Sequence, residues 1–139
     1  MELVSKEIAI WLKEIGFNEQ TWWYFYCDID GVHDEVRTDG EMNHYNRLDT
    51  KLVQHISCPT ISEALDWLWD NKQICYETVP IIEASTYKYC KDCVIKLTKP
   101  NEDIFEDVIL ETKLCSSVYE AKKDFLQKLY ENRDKLELK

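Results

Sequence analysis

Glycine and proline are scarce, three of each in 139 residues, which excludes a collagen-like, low-complexity or disordered chain. No stretch approaches the roughly 20 apolar residues needed to span a bilayer. Basic residues are in the minority. Seventeen Lys and Arg against 27 Asp and Glu leave a net charge of −10, which argues against direct binding to a nucleic-acid backbone or to an anionic membrane. Also missing are the sequences that carry common chemistries: G-x-S-x-G, H-E-x-x-H, a phosphate-binding glycine loop and the dinucleotide fingerprint. Nothing nominates a cofactor or a catalytic residue. Met1-Glu2-Leu3-Val4-Ser5-Lys6-Glu7 has acids where a secretory leader needs a basic segment. The chain is therefore expected to be cytoplasmic, with its cysteines (Cys27, Cys58, Cys75, Cys90, Cys93, Cys115) reduced.

What is present suffices for a core, since 45% of residues are hydrophobic and 12% aromatic. Val4, Ile8, Trp11, Leu12 and Ile15 recur at helical spacing and predict a first helix over Val4–Ile15, closed by Gly16. Thr60-Ile61-Ser62-Glu63 and Ser117-Val118-Tyr119-Glu120 are capping boxes that open two more. After the last of these, the tail from Asp134 to Lys139 is expected to fray. The bulky run Thr21–Cys27 predicts a strand, Asp30-Gly31 a hairpin turn, and Val32–Arg37 the returning strand. From Glu41 to Ser57 the pattern is weak and reads as strand or loop. Ile74–Ala84, Thr86–Thr98 and Ile104–Thr112 read as strands, with Pro80 favouring an edge and a turn at Pro100-Asn101-Glu102-Asp103. The order α-β-β-α-β-β-β-α predicts a single α+β domain over residues 1–139, three helices packed on a mainly antiparallel sheet.

Three constellations bear on function. Cys90-Lys91-Asp92-Cys93 has the spacing of a metal or redox pair. Zinc needs two further ligands, and His33, His44 and His55 lack ligand spacing. Thiols three positions apart on a strand point to opposite faces, so no metal is expected. Asp28-Ile29-Asp30-Gly31-Val32-His33-Asp34-Glu35 resembles part of a calcium loop but has Val32 where an oxygen ligand is required. An acidic hairpin explains it better. His33 beside Asp34 could serve acid–base chemistry, but no nucleophile motif accompanies it. Finally, Trp22, Tyr24 and Tyr26 lie on one side of the first strand and Trp23 and Phe25 on the other. One set is core, and the other is either covered or a contact surface.

Leu12-Lys13-Glu14-Ile15-Gly16-Phe17-Asn18-Glu19 before an aromatic strand, Pro59-Thr60 through Asp66-Trp67-Leu68, and Tyr119-Glu120-Ala121 resemble segments of short uncharacterised proteins of gut Bacteroidetes and their phages. The resemblance implies a mobile-element origin and carries no activity or site residue across. Taken together, the expectation is a small acidic cytoplasmic domain that binds another protein without catalysis. Trp22, Trp23, Tyr24, Phe25 and Tyr26 with Asp28, Asp30, Asp34 and Glu35 are the candidate contact residues. One alternative is an inhibitor of a host nucleic-acid-binding defence protein, its carboxylates mimicking a nucleic-acid backbone. The other is a thiol- or metal-dependent enzyme using Cys90 and Cys93.

Overall fold

The computed structural model describes residues 2–81, 92–100 and 106–138. They form α1 (Lys6–Glu14), β1 (Trp23–Asp28), β2 (Gly31–Arg37), β3 (Gln54–Cys58), α2 (Ile61–Lys72), β4 (Tyr76–Ile81), β5 (Asp92–Pro100), β6 (Glu106–Glu111) and α3 (Val118–Glu131), with a short 3₁₀ turn at Tyr45–Arg47. The fold is α+β in the expected order, and β3 falls in the stretch that read as strand or loop. All strand pairings are antiparallel, but the strands divide between two three-stranded sheets, β2-β1-β3 and β4-β5-β6. Tyr87, Tyr89, Cys90 and the turn at 101–103 lie outside the described residues. Among those described, no helix is long and apolar enough to cross a membrane. The chain forms two compact units, residues 1–67 with 137–139 and residues 68–136, and the division falls inside α2.

In the first unit, Ser5 caps α1 by accepting the Ile8 amide at 3.3 Å. At the other end Gly16 takes φ +102°, and the amides of Phe17 and Gly16 reach back to the carbonyls of Leu12 and Lys13 at 2.8 and 3.1 Å. That is a Schellman closure, which glycine makes possible at the left-handed position. Ile8, Trp11, Leu12 and Ile15 are buried, as their spacing requires. The helix also ties to both edge strands. Lys6 pairs with Asp34 of β2, and Lys13 bonds the His55 carbonyl of β3 at 2.8 Å and Asp49 at 2.8 Å.

Strand β3 is closed along its outer edge by side chains. Its Ser57 amide donates to Asn46 at 2.7 Å and its His55 amide to Asp49 at 3.0 Å, so edge groups that could template another strand are occupied. The tail is anchored at Leu138 rather than loose there. Leu138 is 5% exposed, and its carbonyl accepts the buried Trp11 indole N–H at 2.6 Å. An indole N–H in a core needs an acceptor, and here the tail supplies it. The capping box that opens α2 is reciprocal, Glu63 amide to Thr60 hydroxyl at 3.1 Å and Thr60 amide to Glu63 carboxylate at 3.0 Å. Trp67 then packs edge-on against Phe17 with centroids 5.3 Å apart.

In the second unit α3 packs on β5 and β6 through Ala121, Phe125, Leu126 and Leu129, all buried. Ser117 caps it by accepting the Glu120 amide at 3.1 Å. Ile95 and Leu97 of β5 complete that core, and the Tyr76 ring lies 5.1 Å from Phe125. Pro80 sits on β4, an edge strand, where its missing N–H costs no ladder bond.

Candidate functional site

As the middle strand of its sheet, β1 has neighbours on both sides, and its central aromatics are core on both faces. Phe25 is buried between Ile56 and Val36 in register. Tyr24, of the opposite parity, is also buried. It stacks on Tyr45 with centroids 4.4 Å apart and donates its hydroxyl to Asp39 at 2.9 Å. Burial, helped by Asp39, holds that hydroxyl above its ordinary range, so it remains a donor. Trp22, just ahead of the strand, is 47% exposed, while Trp23 and Tyr26 are half-buried. Neither parity set is therefore left open along its length. Tyr45, from the stretch without periodicity, covers the second face at Tyr24.

The carboxylates cluster where the hairpin turns. Asp28 Oδ1 accepts the Asp30 amide at 2.8 Å, and Gly31 takes φ +103°, so an Asx turn and one glycine reverse the chain. Asp28 Oδ2 bonds His33 Nε2 at 2.9 Å. His33 thus pairs with Asp28 across the hairpin, whereas its sequence neighbour Asp34 pairs with Lys6. The Asp30 amide, followed by His33, holds the Asp28 carboxyl below its ordinary range, and Lys6 does the same for Asp34. Asp30, Asp34 and Glu35 are exposed.

These depressed carboxyls set an acid dependence. They bind fewer protons folded than unfolded, so their stabilisation is present above the ordinary carboxylate range and is lost as pH falls through their lowered values. Asp28→Asn should lower Tm modestly at pH 7 and converge with the wild type as pH falls through the lowered Asp28 value. Curves of Tm against pH that stay parallel would place this stabilisation elsewhere.

Two aliphatic residues stand out beside this turn. Ile29, at the hairpin tip, is 97% exposed, and Leu52 is 84% exposed. Leu52 is held outward by a tight turn in which the Thr50 hydroxyl accepts the amides of Val53 and Leu52 at 3.1 and 3.4 Å, while the Thr50 amide bonds the Val53 carbonyl at 2.8 Å. Both side chains line one open depression of about 380 Å³, together with Cys27, Asp28, Thr50, Lys51, Val53 and Gln54. A scattered exposed aliphatic is ordinary. Here two sit at loop tips and line the same depression, with Asp28 in its wall.

On the same strand, Tyr26 lies between His33 and His55, with centroid distances of 5.4 and 6.0 Å, and the Arg37 guanidinium sits 4.6 Å over its ring. Among the described residues no group of three or more His, Cys, Asp or Glu is placed to hold a metal. The second unit has a depression of about 420 Å³ that, among the described residues, is lined by Lys113, Glu120, Lys123, Asp124 and Gln127. The sequence pointed to the acidic hairpin but not to Ile29, Leu52, Tyr45 or His55. The chain matches no protein-family model, no curated protein and no solved structure.

Proposed function

We propose that this protein is a small acidic interaction domain that docks a basic partner protein on the β1–β2 hairpin tip and the adjoining turn at 50–53, and that it performs no catalysis there. The observation that carries this reading is the near-complete exposure of Ile29 and Leu52 around one depression. Asp28 and Asp30 flank the hairpin tip, and the net charge of −10 favours encounter with a basic surface. In this reading the aliphatic pair supplies affinity and the carboxylates supply steering. A phage- or mobile-element protein aimed at a host partner fits it, the origin that the sequence resemblance implies.

The test uses the immobilised full chain to capture a partner, followed by affinity measurement with two variants. Ile29→Ser with Leu52→Ser should weaken binding by roughly 100-fold or more, since covering each side chain is worth about 1.5–3 kcal/mol, and should leave Tm nearly unchanged. Asp30→Asn, Asp34→Asn and Glu35→Gln together should mainly slow association and reduce its salt dependence. The second reading, nucleic-acid mimicry, draws on the exposed carboxylates of Asp34 and Glu35 along β2. It predicts the reverse: the charge variant abolishes binding and the aliphatic variant spares it.

A further inference from the structure

We propose that Cys93 and Cys115 form a reversible disulfide, a redox-modification site in the second unit that responds to small hydroperoxides. The spacing of Cys90 and Cys93 draws attention in the sequence, but the fold sets a distant cysteine directly opposite Cys93. The Cys93 amide donates to the Cys115 carbonyl at 2.8 Å and the Cys115 amide to the Cys93 carbonyl at 3.0 Å, an isolated antiparallel bridge. Residues that exchange both bonds in this way have Cα atoms about 5.5 Å apart and side chains on one face. That spacing lies inside the roughly 4.4–6.8 Å range over which disulfides close. Other described cysteines have no such partner in register: Cys27 lies opposite Val32 and Gln54, and Cys58 opposite Trp23.

Geometry also argues that the bond would be labile. Opposed residues in a hydrogen-bonded pair stand further apart at Cβ than a relaxed disulfide prefers, so closure draws the strands together and leaves strain that favours reduction. Cys93 and Cys115 are 6% and 3% exposed, which screens them from bulky thiol reagents more than from a peroxide. Burial, with Asp124 nearby, holds the Cys115 thiol above its ordinary range, which disfavours it as the first nucleophile. Cys93 Sγ, as thiolate, attacks one peroxide oxygen. The O–O bond breaks, one water leaves, and a sulfenic acid forms. Cys115 Sγ then attacks that sulfur, the S–O bond breaks, and the departing hydroxide takes up the Cys115 proton as a second water. Two thiols and one hydrogen peroxide thus give one disulfide and two waters.

The experiment treats the purified full chain with a slight excess of hydrogen peroxide, blocks remaining thiols, and maps peptides without reduction. The expected product has lost two hydrogens and links the peptides carrying Cys93 and Cys115. Its Tm is higher by roughly 5 °C, because the bond closes a loop in the unfolded chain, and mild dithiothreitol restores the starting material. Cys90→Ser should form the same bond at a similar rate, whereas Cys115→Ala should yield no internal disulfide. A bond between Cys90 and Cys93, sulfinic acid at Cys93 without cross-linking, unchanged thiols, or about one zinc per chain that shields them would each overturn the proposal.

Discussion

Tyr45→Ala should destabilise the first unit by about 3–5 kcal/mol, the range for truncating a fully buried aromatic. Tyr45 has 0% exposure, stacks on Tyr24 at 4.4 Å and on His55 at 6.4 Å, and donates its hydroxyl to the Glu41 carbonyl at 3.0 Å. Truncation would leave a cavity over β1 and uncover Tyr24, whose own hydroxyl is committed to Asp39. Tyr45→Phe keeps the stack and removes only the hydrogen bond, so it should cost about 1 kcal/mol. Urea unfolding of the two variants separates these terms. A loss below about 1 kcal/mol for Tyr45→Ala would mean that the 41–57 stretch is not part of the core.

Removing residues 137–139 should cost on the order of 3 kcal/mol. Burial of Leu138 accounts for about 1.5–3 kcal/mol, and losing its carbonyl strands the Trp11 indole N–H, worth a further 1–3 kcal/mol or so. Trp11 is 2% exposed, and Leu138 provides the acceptor at 2.6 Å. The truncation should also change Trp fluorescence, because water reaches the indole. In a Trp11→Phe background the same truncation should cost less, since the stranded donor is gone. A truncated chain as stable as the full one would mean that the tail frays as its polar composition suggested.

The elements legible in the sequence are those whose signal is local. α1 announced itself through Ile8, Trp11, Leu12 and Ile15 at helical spacing with Gly16 behind them, and α2 through the Thr60–Glu63 box. β3 and Tyr45 were not legible, because what orders them is long-range. Asn46 and Asp49 satisfy the outer amides of β3, and neither pairing leaves a periodic trace. The division of the strands between two sheets is a matter of tertiary pairing and was likewise hidden. At the site, Asp-Gly chemistry marked the hairpin and its carboxylates. Adjacency sets Asp34 beside His33 in the sequence, whereas strand pairing gives His33 to Asp28. Ile29 and Leu52 are single apolar residues at turns, so no pattern singled them out, and their exposure emerges only once both loops are in place.

The central claim is that the hairpin tip and the 50–53 turn are where the partner docks, and its most direct test is a backbone NMR titration of the isotope-labelled full chain with the captured partner. The account predicts that the largest shift changes and line broadening centre on Ile29, Asp30, Leu52 and Val53 and fade along β2 toward Arg37. Perturbations centred on Trp22, or on the second unit around Leu114 to Tyr119, with Ile29 and Leu52 unmoved, would contradict it.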